Sequence, residues 1–382
     1  MKEKDLLKIS ETADGKFIVR NNFNNVVVKM GGKEFQYLSF LISDETTSYP
    51  GDLCEEEQKY IHKKFNEMNL LNRSISNKNE DISKIKLFQF NPDAFLERYM
   101  FFFKLFTNRI AVSIYFLIIV AGIITINQNP NEFLALSIFD LKIIDYVYIY
   151  ILIFLTIVFH ELAHGVVCKK YGGKVPKMGV MLFYFSPAFF CDVSDIYFFK
   201  NKRSKIYVLI AGVVAQWVIS SLALIVYFLL LNNFDINYKF LLYYFLANIG
   251  ISIINLFPFV KLDGYWILVQ ILDIPNLREK SFLNLTRLTI NKNKQREPDI
   301  NSKREITIVS IYGYCSLVAT VAIWTLSLQG IYRIVDNYNS IVAIVIVSSL
   351  IAIIVNNIVK QYMKNYKILK LEDSKKNIQE AS

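Results

Sequence analysis

The 382-residue chain is 53% hydrophobic and carries 30 Phe and 23 Tyr; its mean hydropathy of +0.32 is too apolar for an ordinary soluble enzyme. Its net charge of +10 would suit a polyanion, but the cations crowd loops between apolar runs with no aromatic-basic interleaving, which argues against a nucleic-acid surface. Cys54, Cys168, Cys191 and Cys315 form no CxxC pair, so neither a disulfide framework nor a cysteine zinc site is indicated.

In chain order, Met1-Lys2-Glu3-Lys4-Asp5 lacks the apolar core of a secretory signal, so the first domain is expected in the cytoplasm. Residues 1–72 read as a small α+β domain. Phe17 to Arg20 and Val26 to Met30 predict two short strands around the turn chemistry of Asn21-Asn22 and Asn24-Asn25. A helix is predicted near Glu34 to Ile42, and a second from about Glu55 to Asn69, where Ile61, Phe65 and Met68 make one apolar stripe. The order of two strands and then helices, ending in Met68-Asn69-Leu70-Leu71, resembles small winged-helix domains that bind leader peptides of ribosomally made, modified peptides. That resemblance implies a leader-peptide partner; the alternative is a cytoplasmic cap with no ligand. Residues 73–90, rich in Asn, Ser and Lys up to about 86, read as a linker. Residues 91–106, aromatic and amphipathic, are expected to lie along a lipid interface.

Apolar runs near 110–127, 146–168, 208–231, 240–260, 306–328 and 341–358 approach the roughly 20 residues that cross a bilayer core. The fold expected is therefore mainly α: about six transmembrane helices in a unit spanning 91–371, a membrane-associated β or loop segment within it, and a polar tail at 372–382. Arg278, Lys280, Arg287, Lys292, Lys294, Arg296, Lys303 and Arg304 crowd one loop, and Lys169, Lys170, Lys174, Lys200, Lys202, Arg203 and Lys205 flank another. By the positive-inside rule these loops and both termini are cytoplasmic, in a multi-pass cell-membrane protein.

The second run contains His160-Glu161-Leu162-Ala163-His164. Residues four apart share one helical face, so both imidazoles can reach one zinc ion, and Glu161 is placed beside it as a base for water attacking a peptide carbonyl. The only other histidine, His62, lies in the polar N-terminal region, so a carboxylate is expected to complete the site. Histidine-rich di-iron chemistry is excluded by the count. The fourth run ends in Asn255-Leu256-Phe257-Pro258-Phe259-Val260-Lys261-Leu262-Asp263-Gly264. From a cytoplasmic N-terminus, spans two and four both run outside to inside, which puts Asp263 at the depth of the histidines. Asn248, Ser252 and Asn255 form a polar stripe at i, i+4, i+7 that should face the protein interior. Asn255 is a candidate for holding the substrate backbone or the oxyanion, with interhelical hydrogen bonding as its alternative. Pro258 breaks the helix, which membranes tolerate where backbone lines a cavity.

HELAHG followed about ninety residues later by NLFPFVKLDG resembles the site-2 protease family of intramembrane zinc metalloproteases. The resemblance implies one Zn2+ per chain held by His160, His164 and Asp263, with Glu161 as the base. Met181 to Asp195 is similar to bacterial peptide zinc metalloproteases of modified-peptide or bacteriocin systems. Met178 to Phe185 is a candidate for strands whose edge pairs with an extended substrate, or for a re-entrant loop that packs the site. Asp192 and Asp195 are the alternative zinc carboxylates. The function expected is cleavage of a membrane-associated or precursor peptide near the cytoplasmic face, serving maturation, export or immunity, with a peptide exporter as a possible neighbour. The competing expectation is a zinc-containing membrane module that binds or escorts a peptide without cutting it.

Overall fold

The computed structural model describes residues 7–11, 15, 17–21, 27–43, 49, 51–67, 70–71, 84–134, 141–183, 186–274, 276–290 and 300–381. Asn22, Asn24, Asn25, Met68, Asn69, Lys292, Lys294, Arg296 and most of the expected linker lie outside these residues. The chain divides into two compact units, 1–249 and 250–382.

The first unit opens with an antiparallel sheet of β1 (Leu7–Glu11), β2 (Phe17–Asn21) and β3 (Val27–Met30), in that order. β2 and β3 match the strands read from the sequence, while β1, in which Leu7 and Ile9 alternate with Lys8 and Ser10, escaped that reading because it offers only two apolar residues. α1 (Gly32–Ile42) and α2 (Glu55–Glu67) follow. Leu7, Val19, Met30, Leu38, Ile61, Phe65 and Leu70 share one buried core, so the expected stripe of α2 is buried at Ile61 and Phe65.

β4 (Lys84–Phe90) occupies the stretch that reads as the end of the linker. Exposed Leu87, Phe88 and Phe90 show why composition misleads there: the strand buries little of its own apolar surface. α3 (Asp93–Arg98) and α4 (Met100–Thr107) divide the aromatic segment, and Phe101, Phe102, Leu105 and Phe106 of α4 are all exposed. α5 (Arg109–Gln128), α6 (Pro130–Leu134) and α7 (Ile143–Lys170) come next. Lys169, in the last turn of α7, bridges Asp93 at 2.9 Å and Glu97 at 3.2 Å, which ties α3 to the end of α7.

β5 (Met178–Phe183) and β6 (Ser186–Cys191) join β4 in a second antiparallel sheet ordered β4-β5-β6. The strand expected to offer an edge is thus central, hydrogen-bonded on both sides; the sheet's edges are β4 and β6. A 3-10 turn (Ser194–Phe198) leads into α8 (Lys202–Phe234) and α9 (Lys239–Asn255), within which the division between units falls. The second unit continues with α10 (Asp263–Leu272), α11 (Leu277–Ile290), α12 (Ile300–Asp336) and α13 (Ser340–Ala381).

Among the described residues five helices are long and apolar enough to cross a membrane: 109–128, 143–170, 202–234, 304–333 and 340–363. The fourth apolar run differs. Its helix, α9, has 17 residues and stops at Asn255, ahead of Pro258, which has no N–H to continue the ladder. The apolar residues beyond it are extended or turned chain.

One buried ion cluster carries the N-terminal sheet. Arg20 and Lys8, neighbours across β1 and β2, both pair with Asp195, Lys8 at 2.9 Å. Burial alone would raise the Asp195 carboxyl, but hydrogen bonds from Lys8 and the Lys174 amide and the charges of Arg20 and Lys8 outweigh it and hold the group below its usual value. A depressed carboxyl contributes stability above its unfolded pKa and loses it as pH falls through the folded one. The unfolding temperature of the detergent-solubilised protein should therefore drop as pH falls below about 4. Asp195→Ala should cost about 3–5 kcal/mol at neutral pH, because it leaves a buried guanidinium without its carboxylate, and should flatten that acid dependence.

Candidate metal centre

α7 carries His160 and His164 one turn apart, 3% and 4% exposed. Neither imidazole can leave its nitrogens unsatisfied in an apolar helix bundle. Nδ1 of His164 lies 2.7 Å from the backbone carbonyl of Val208 on α8. A carbonyl only accepts, so His164 donates from Nδ1 and presents a lone pair at Nε2. Nδ1 of His160 lies 3.0 Å from Oε1 of Gln216, also on α8, and a donating Nδ1 gives the same result.

The two Nε2 atoms stand 3.0 Å apart. With both Nδ1 atoms donating to α8, the two Nε2 atoms can face each other at that distance only with a proton or a metal ion between or beside them. Two nitrogens bound to one tetrahedral zinc would be about 3.3–3.4 Å apart, so the pair is close to the spacing the metal requires. α8 leaves room at this point: a Cβ on Gly212 would come within 2.5 Å of both Nε2 atoms. One backbone acceptor, one side-chain acceptor, converged imidazole nitrogens and a glycine gap fit a metal ion.

Glu161 follows His160 on α7 and is half-buried. Asp263 is the first residue of α10, also half-buried. His160 and His164 belong to the first unit, and Asp263 opens the first complete helix of the second. The chain reaches Asp263 through the non-helical stretch 256–262. Its carbonyls find hydroxyl donors on α12: Tyr312 donates to Pro258 O at 3.1 Å and Ser316 to Phe259 O at 3.1 Å. Gly264 is required by a close approach, since a Cβ there would collide with the carbonyl of Leu256 and come within 2.9 Å of its Cα. The glycine lets the chain fold back on itself beside Asp263.

The other sequence candidates fall elsewhere. Asp195 is committed to Arg20, Lys8 and the Lys174 amide. Asp192 accepts from the amide and hydroxyl of Ser194. His62 is on α2 in the N-terminal domain. Asn255 is the last residue of α9 and half-buried; Asn248 and Ser252 of the same stripe are fully buried. The Ser252 hydroxyl has no hydrogen-bond partner among the described residues. The sequence reading missed Gln216, although Gln216 and Ser220 sit four apart in an apolar run and give the signal that exposed the stripe of α9.

In comparison with known proteins, 184 residues of the chain are 29% identical to a zinc metalloprotease of Methanocaldococcus jannaschii. The match covers 47% of this chain and 45% of that relative, so the chain spans under half the length of the protein it resembles. No family model matches the chain, and no solved structure does.

Gly212→Ala should push both imidazoles off their carbonyl and amide partners. Zinc affinity of the purified variant, measured by chelator competition, should fall by at least about tenfold while the helical circular-dichroism signal stays at the wild-type level. Wild-type affinity would mean that the gap beside Gly212 is not the metal position.

Proposed function

We propose that the chain is an intramembrane zinc metalloprotease of the site-2 type, with His160, His164 and Asp263 as its zinc ligands and Glu161 as its general base. The observation that carries this reading is the pair of Nε2 atoms converged at 3.0 Å beside Gly212. The similarity to the Methanocaldococcus jannaschii zinc metalloprotease supports it, as does a HExxH helix that is long and apolar enough to cross a membrane.

Zinc bound there would supply Lewis-acid polarisation for hydrolysis of a peptide bond. His160, His164 and Asp263 would hold it. Glu161, one residue from His160 and on the same helix, takes the proton from the attacking water and returns it to the leaving amine. Asn255 is the candidate for orienting the substrate carbonyl, because it ends the polar stripe of α9 eight residues before Asp263. Both termini and the basic loops are cytoplasmic in this reading, and α9 with the stretch that follows it serves as a sixth crossing.

A protease needs its substrate extended, and the β4-β5-β6 sheet offers two edges for strand addition, β4 and β6. The substrate class that suits a basic cytoplasmic face and a small N-terminal domain is a precursor peptide with a leader, cut in maturation, export or immunity.

Glu161→Gln should keep its zinc and lose cleavage of a membrane-embedded reporter peptide by about 10²–10⁴-fold. Full cleavage by that variant would sink the mechanism; peptide resistance or export that persists without cleavage would favour the escort function instead. Fluorescence titration of the full chain with candidate leader peptides tests the recognition role, and an absence of saturable binding would remove it.

A further inference from the structure

We propose that Gln216 is the positioning residue of the metal centre and that Asn248, acting through it, fixes His160 as the tautomer protonated on Nδ1. This rests on the zinc reading above.

The argument is one of hydrogen-bond polarity. His164 is oriented directly by a backbone carbonyl, which cannot be reversed. His160 instead faces a side-chain amide, whose two ends are nearly isosteric; turned round, Gln216 would donate to Nδ1 and place the imidazole proton on Nε2, where a metal would bind. Something must therefore fix the amide.

Gln216 Nε2 donates to Oδ1 of Asn248 at 3.2 Å. Asn248 is fully buried, and its own amide is fixed by two chains that end on backbone carbonyls. In the first, Asn248 Nδ2 donates to Ser220 Oγ at 2.5 Å, and the Ser220 hydroxyl donates to the Gln216 carbonyl at 2.7 Å. In the second, Asn248 Nδ2 lies 3.4 Å from the Tyr244 hydroxyl, which meets Thr156 Oγ1 at 2.5 Å; Thr156 donates to the Leu152 carbonyl at 2.7 Å. Carbonyls accept only, so Ser220 and Thr156 spend their protons on them, Tyr244 gives its proton to Thr156, and both Ser220 and Tyr244 are left to accept from Asn248. The NH2 of Asn248 must face outward and its oxygen must face Gln216. Gln216 then turns its oxygen to His160. Reversing the amides would require both hydroxyls to turn away from their carbonyls. Gln216, Asn248, Ser220, Tyr244 and Thr156 are each at most 2% exposed, so water does not replace a broken link.

The experiment uses the full chain purified in detergent, with zinc affinity from chelator competition and fold from unfolding temperature and size-exclusion profile. Gln216→Leu should weaken zinc binding by about 10–100-fold, and Asn248→Leu should weaken it in the same direction by less. Gln216→Glu, which still accepts from Nδ1–H, should stay within about threefold of wild type. A purely structural role would lower the unfolding temperature and leave the affinity of the folded protein unchanged; that result, or a Gln216→Glu protein as weak as Gln216→Leu, overturns the proposal. Zinc bound by the wild type and equally by Gln216→Leu sinks this inference alone. A wild type that binds no zinc sinks the zinc reading and this inference with it.

Discussion

Imidazoles buried in apolar helices must have their protons placed by the protein, because no solvent is at hand to do it. The candidate metal centre depends on that constraint. Val208 and Gln216, both on α8, take the Nδ1 protons of His164 and His160, and Gly212 between them leaves the gap into which the other nitrogens turn. Little more than two turns of α8 thus supply acceptor, gap and acceptor. The histidine helix alone would have the right spacing and no defined protonation.

The same rule governs the broken chain before Asp263. Pro258 ends the ladder of α9, and the carbonyls of Pro258 and Phe259 would be costly to bury bare. Tyr312 and Ser316 donate to them from α12. Around them Tyr265, Val269, Leu277, Val309 and Tyr312 form an apolar core, so the irregular segment is held by hydroxyls on one side and by packing against α10 through α12. Gly264 then permits the fold-back.

Much of this was legible in the sequence, for local reasons. HELAHG announces its helix and its face by spacing, LDG offers a carboxylate at the end of an apolar run, and five of the six apolar runs are long helices. Three things were hidden. β1 is too short in apolar residues and β4 follows too polar a stretch to stand out, so both are recognised only by the strands they pair with. The central position of β5 is a matter of sheet order, to which hydrophobic pattern is blind. Gln216 reads as an isolated polar residue in an apolar run until α7 and α8 are packed and His160 is seen beside it. Asp195 failed as a zinc candidate for a related reason: its partners Lys8 and Arg20 lie more than 170 residues upstream, too far for any motif to show.

The hydroxyls that secure the carbonyls of Pro258 and Phe259 have a consequence for biogenesis. They stand at 312 and 316, more than fifty residues after the carbonyls they serve. A nascent chain therefore completes HELAHG, and even Asp263, well before the backbone leading to Asp263 acquires its donors. The irregular stretch stays without these donors until α12 emerges from the ribosome and packs, so this part of the centre matures late in synthesis. A chain truncated before α12 would carry every residue of the motif and lack the hydrogen bonds that hold its last segment in shape.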